Sequence, residues 1–195
     1  DQLQHGKSLL FMVYGQYKSG KTHTLFGKNN TDPQERGLLP RTIQHMLNMI
    51  AKLNSDERKF NVSLRILRIF NDKLHDVLSA DGQPKDGDIR IVDRKTKHGH
   101  ITWTKNVKIQ QIARMQDFDQ IMATISSKAS LPPFNHAIYT LYLEYQTNGK
   151  KSIYAQLHFV ELASSDKLSH LLEKKKTHLF GTASPDGNPQ NFRYQ

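Results

Sequence analysis

Eight residues, Gly15-Gln16-Tyr17-Lys18-Ser19-Gly20-Lys21-Thr22, form a complete G-x-x-x-x-G-K-S/T phosphate loop. The residue types fit one chemistry. Glycines let backbone N–H groups turn toward phosphate oxygens, and a following helix N-terminus adds partial positive charge. Lys21 is placed to reach the outer phosphates of a nucleotide, and the Thr22 hydroxyl to hold Mg²⁺. Gln16, Tyr17, Lys18, Ser19 and His23 complete the stretch that would line the ligand.

Such a loop works only between a strand and a helix. Leu9 to Tyr14 is an apolar run that reads as a buried, central strand, and residues 20–26 read as the start of a helix. Residues 28–36 are polar, with Asp32 and Pro33, and read as a surface loop. Ile43, Leu47, Ile50, Ala51 and Leu53 recur at helical spacing, so 41–53 predicts an amphipathic helix. Residues 62–70 predict a long strand, and Leu74, Val77 and Leu78 a short helix after it. Residues 80–88 read as a loop. Residues 89–92 and 100–103 read as two short strands flanking a lysine-bearing turn. Phe118, Ile121, Met122 and Ile125 predict a helix over 117–126. Strands are expected over 138–145 and 154–162, with Asn148-Gly149 as a hairpin turn between them. From Glu173 onward Lys174, Lys175 and Lys176, then Gly181, Pro185, Gly187 and Pro189, suggest a loose basic tail.

The chain has 195 residues, enough for one domain with a substantial core. Twenty-eight lysines and arginines stand against 18 acidic residues, a formal charge of +10. That excess favours a polyanionic partner: an acidic protein surface, nucleic acid or an anionic membrane. Cysteine is absent, which excludes a disulfide framework and thiolate metal sites. Neither a charged leader with an apolar run nor a membrane-spanning segment is read, so a cytoplasmic location is expected; the start at Asp1 fits a fragment. Ten histidines offer no pair with convincing metal-ligand spacing, and no elbow motif supports Ser/His/Asp catalysis.

Five segments, in order over residues 9–167, resemble the kinesin motor domain family. Gly15 to Thr24 is similar to G-Q-T-x-S-G-K-T-H/Y-T, with Tyr17 and Lys18 as departures. Arg36 to Arg41 resembles the G-I/L-I/L-P-R helix opening. Val62 to Leu78 is similar to V-S-x-x-E-I-Y-N-E-x-I/V-x-D-L-L. His136 to Thr140 resembles S-H-A/S-I-F-T, and Leu157 to Lys167 resembles L-x-F/L-V-D-L-A-G-S-E-R/K. The resemblance implies an α/β phosphate-loop NTPase core: a central, mainly parallel mixed sheet flanked by helices, incomplete at both ends. Residues 1–172 would be the partial motor domain and 173–195 the tail. It implies ATP and Mg²⁺ as ligands, with Glu161 holding the metal through a water. It favours microtubules as the polyanion, contacted by the hairpin lysines Lys95, Lys97 and Lys105, and a cytoskeletal location without membrane attachment.

The departures from the family pattern fall where hydrolysis is controlled. Against N-x-x-S-S-R-S-H the chain places Pro132 and Pro133 at the two serines, Phe134 at the arginine and Asn135 before His136. Proline has neither hydroxyl nor N–H, so metal and water lose a ligand. Against D-L-A-G, Glu161 keeps the carboxylate on a longer arm and Ser164 replaces the glycine. Asp166 replaces the switch glutamate, whose arginine partner is Phe134 here. Nucleotide binding with weak or absent hydrolysis is expected, with Ser130, Asn135 or a water as substitutes that could leave slow turnover. Two other classes stay open: a non-enzymatic microtubule-associated module and a nucleic-acid-dependent NTPase supported by charge alone.

Overall fold

A computed structural model describes residues 7–28, 32–55, 59–79, 89–96, 99–127, 135–147 and 150–164. Its spine is a long antiparallel pair of strands, β7 (His136–Thr147) and β8 (Lys150–Glu161), paired from Ala137↔Glu161 to Thr147↔Lys150 with a bulge at Leu143/Glu144. The phosphate-loop strand β1 (Leu9–Val13) lies parallel to β8, and β2 (Lys59–Phe70) lies antiparallel to β7. With β3 (Lys73–Asp76) the order is β1-β8-β7-β2-β3, and β6 (Gln110–Ile112) pairs with β2.

Strand alternation sorts the two faces. Val62, Leu64 and Ile66 of β2, Tyr139 and Leu141 of β7, and Leu157 and Phe159 of β8 point to one side. There they pack against α1 (Lys21–Phe26), α2 (Leu38–Leu53) and α3 (Met115–Ser127) through Leu25, Leu39, Ile43, Met46, Phe118 and Ile121. α2 starts three residues earlier than the apolar spacing suggests. Pro40 sits in its first turn, where a missing N–H leaves no helical bond unmade. α1 and α2 are welded at Gly27 and Gly37: a Cβ on Gly27 would lie 1.9 Å from the Glu35 carbonyl oxygen, and one on Gly37 would lie 2.5 Å from the Leu25 carbonyl. On the other face a separate ribbon, β4 (Arg90–Thr96) with β5 (Gly99–Lys105), is tied to the sheet where Arg65 Nη1 donates to Thr104 Oγ1 at 2.6 Å.

Three expectations are corrected. The sheet is mixed, but among its pairings only β1 with β8 is parallel: β7 and β8 form a hairpin, and β2 and β3 another, with β2 antiparallel to both β7 and β6. β1 is an edge strand among the described residues, with Leu10 61 % and Met12 50 % exposed, rather than a buried central one. The short helix expected after β2 is the strand β3. Asn71 and Asp72 take positive φ of 50° and 60°, the two-residue turn that folds a strand back on itself. Asp76 then fixes the exit, accepting from the N–H groups of Leu78 and Lys108. The loop over 80–88, the Asn148-Gly149 turn, the boundary at 172 and the tail 173–195 lie outside the described residues.

Candidate functional site

β1 ends at Val13 and the chain turns through the loop into α1. Gly20 caps that helix in the left-handed region, φ 89°, with nothing within 4 Å of where a Cβ would sit. Its requirement for glycine is therefore conformational rather than steric. Lys18 also takes positive φ, 61°, and its ammonium lies 5.6 Å from the Tyr17 ring centre. α1 spans only six residues, so an anion at this end would be met by N–H groups not used in the helix more than by a long macrodipole.

Lys21 folds back over its own loop. Its Nζ donates to the carbonyls of Gly15 at 2.8 Å and Gln16 at 2.7 Å. Beside it the Thr22 hydroxyl donates to Oε1 of Glu161, the last residue of β8. That contact follows from register: Glu161 pairs with Val13, the last residue of β1, and the Leu162 N–H continues to the Val13 carbonyl at 3.1 Å. The Ala163 N–H donates to His136 Nδ1 at 3.2 Å, which puts that ring's proton on Nε2 and holds the segment after β8 against the start of β7.

These groups wall a cleft of about 620 Å³. Tyr17, Lys18, Ser19, Gly20, Lys21, Thr22 and His23 form one side, and Glu161, Leu162, Ala163, Ser164 and Asn135 another. Gly15 and Gln16 lie outside the lining and meet the site through Lys21. α3 contributes Met122, Ile125 and Ser126. Pro132, Pro133, Phe134, Ser130 and Asp166 lie outside the described residues.

Sequence reasoning missed Arg68 and Tyr139, which form the floor. Burial pushes the Tyr139 hydroxyl up to about 12, against the opposing pull of Arg68, which also hydrogen-bonds it. Two polar atoms at the cleft are buried without a hydrogen-bond partner, Ser164 Oγ and Arg68 Nε. Buried orphan polar groups are costly. Donors of this kind beside a lysine, a hydroxyl and a carboxylate fit an anionic ligand carrying a hard cation. The described residues hold no cluster of three or more metal-ligating side chains, so such a cation would take most of its ligands from the anion and water. No described helix is long and apolar enough to cross a membrane.

The family model of the kinesin motor domain matches residues 1–184 of this chain. Kinesin-like protein KIN-14M of Arabidopsis thaliana is 24 % identical over 177 residues, covering 84 % of this chain and 24 % of that protein. Kinesin-like protein klp-20 of Caenorhabditis elegans is 29 % identical over 164 residues, covering 80 % of this chain and 24 % of that protein. Among solved structures, a fast kinesin superposes with a TM-score of 0.68 at 19 % identity, over 90 % of this chain and 51 % of that one. KIF14 with ADP in complex with a microtubule gives 0.67 at 19 % identity, over 87 % and 50 %. The chain thus spans about a quarter of the length of these curated relatives and about half of the solved chains.

Proposed function

The chain belongs to the kinesin motor domain family, and from that premise we propose that it binds ATP with Mg²⁺ in this cleft, engages microtubules, and hydrolyses the nucleotide weakly or not at all. The observation that carries the reading is the contact between Thr22 and Glu161, which brings the phosphate loop and the end of β8 to one point beside Lys21. Loop N–H groups would receive the inner phosphates. Lys21 would exchange two neutral carbonyls for phosphate oxygens, a stronger, charge-assisted pairing. Thr22 would hold Mg²⁺ directly, and Glu161 through a water. The metal, when bound, neutralises charge on the outer phosphates.

Weak turnover is supported by the residues at the two switch positions of the sequence. Catalysis of phosphoryl transfer depends on positioned donors around the attacking water. The sequence offers prolines and Phe134 where hydroxyls and a guanidinium would serve. Ser164, with a side chain where the family pattern has glycine, lines the cleft at the other switch. Microtubule contact is supported by the family and by exposed Lys95 and Lys105 on the β4–β5 ribbon; Lys97 lies outside the described residues. A microtubule-bound, cytoplasmic location follows from the same reading.

The test is equilibrium ATP binding and single-turnover hydrolysis, with and without microtubules, for the native chain and Lys21→Ala. Losing a hydrogen bond to a charged group costs about 1.5–3 kcal/mol, so Lys21→Ala should weaken ATP by about ten- to a hundredfold. Hydrolysis should be negligible in both proteins. Hydrolysis accelerated by microtubules would show that the switch chemistry survives and would remove the last part of the proposal. Microtubule binding indifferent to nucleotide, with no ATP bound, would leave a non-enzymatic microtubule-associated module.

A further inference from the structure

Arg68 lies near the end of β2, two residues before Phe70, where the strand runs into its turn. The alternation that sends Val62, Leu64 and Ile66 into the core carries Arg68 to the same face, at the end of the sheet where the cleft opens. Register places it in a row. Arg68 pairs with Ala137, Ala137 with Glu161, and Glu161 with Val13. Cross-strand partners share a face, and two strand spacings put the Arg68 and Glu161 backbones about 10 Å apart. Ala137, the residue between them, is too small to fill the gap. Aligned on Ile69-Phe70-Asn71, Arg68 stands where the E-I-Y-N-E pattern has its glutamate, so the cation is a property of this chain.

The guanidinium is underused. It hydrogen-bonds the Tyr139 hydroxyl, but its Nε is buried with no partner, and none of the ion pairs among the described residues includes it. A guanidinium carries five donors in a planar fork suited to phosphate. Thr22 and Glu161 mark the metal end of the cleft, and Arg68 lies beyond them, across Ala137, from the loop that would take the inner phosphates. We infer that Arg68 is a second phosphate-binding cation of this cleft, one that engages the terminal phosphate of a nucleoside triphosphate and not the phosphates of a diphosphate. The inference rests on the nucleotide-binding reading above. It places a positive charge on the sheet floor of a chain that has Phe134 at the position of the switch arginine.

The experiment is calorimetric titration of the 195-residue chain with the Mg²⁺ complexes of ADP and of the non-hydrolysable β,γ-imido analogue of ATP. Arg68→Gln should weaken the triphosphate about tenfold or more and leave ADP within about twofold. Tyr139→Phe, which removes only the hydroxyl, should leave the ratio of the two affinities unchanged. If Arg68 served only to hold Tyr139, Arg68→Gln would alter both nucleotides alike or neither, and the inference falls. Should the amide variant not fold, Arg68→Lys decides. It keeps a point charge without the fork, so a several-fold loss confined to the triphosphate supports the inference and an unchanged ratio overturns it. A native chain that binds neither nucleotide overturns the nucleotide-binding reading, and this inference with it. A native chain that binds both, with the same ratio in Arg68→Gln, overturns this inference alone.

Discussion

Arg65, three residues before Arg68 and on the opposite face, organises a polar knot with no part in the cleft. Its Nη2 donates to Thr140 Oγ1 at 3.1 Å, its Nη1 reaches Thr104, and its guanidinium lies 5.5 Å from the Tyr142 ring centre. The same Thr140 hydroxyl lies 3.1 Å from His158 Nδ1 and hydrogen-bonds that ring. Burial first, and the Arg65 charge second, hold His158 below the ordinary imidazole value of 6.5. The folded chain therefore keeps this ring neutral where the unfolded chain would take up a proton. Its contribution to stability is complete above about pH 6.5 and is lost as pH falls below that, toward the lowered folded value. His158→Asn should flatten the fall in urea midpoint between about pH 7 and 5.5 relative to the native chain. Parallel midpoint curves for the two proteins would show that the ring titrates alike folded and unfolded.

At the scale of elements, what holds the phosphate loop in place is the weld between α1 and α2. Gly27 has φ 89° and backbone atoms of Glu35, Arg36 and Gly37 within 3 Å of where a Cβ would be; Gly20 has the same φ and open space. The two differ in ψ as well: Gly20 is left-handed at ψ 13°, whereas Gly27, at ψ −172°, takes a backbone conformation nearly confined to glycine, so its substitution carries both a larger conformational cost and a steric one. Gly20→Ala should destabilise by about 1–2 kcal/mol, the strain of a left-handed residue alone. Gly27→Ala adds overpacking against backbone and should cost about 2–5 kcal/mol in all, measured by urea unfolding. Equal losses would mean that the α1–α2 contact yields freely. The existence of β1, α2, α3 and the long strands was legible from their apolar runs and spacing, although the edge position of β1 was not, and the three-residue β6 is too short to carry a period. β3 was not legible either. Leu74, Val77 and Leu78 fit helical spacing, and the decisive signal was the Asn71-Asp72 pair, whose side chains tolerate positive φ. The candidate site divides in the same way. The phosphate loop is contiguous and announces itself, whereas Arg68 and Tyr139 join it only through the register of β2, β7 and β8, which the order of residues along the chain does not reveal.

For the whole molecule, two surface properties act in opposite directions. The formal charge of +10 makes copies of the chain repel. Against this, β1, at the sheet edge among the described residues, presents Leu10 and Met12 on the face away from the helices, and Phe11 is 37 % exposed on the other. Charge repulsion is screened over about 10 Å at 0.1 M salt and about 3 Å at 1 M, while apolar contact and strand pairing are not weakened by salt. Self-association should therefore rise with ionic strength, whereas binding to a polyanion through the basic ribbon should fall. Sedimentation velocity at about 0.05 and 0.5 M sodium chloride reads the first effect, and microtubule co-sedimentation in the same buffers reads the second. The double variant Leu10→Lys, Met12→Lys adds charge to the edge without touching the core face of the sheet. It should remain monomeric at both salt concentrations and keep the native unfolding free energy to within about 0.5 kcal/mol. A native chain that stays monomeric at high salt would show that β1 is protected as it stands. Association that survives in the double variant would move the contact elsewhere, with the exposed Ile91 on the ribbon, 65 % accessible, as the next surface to change.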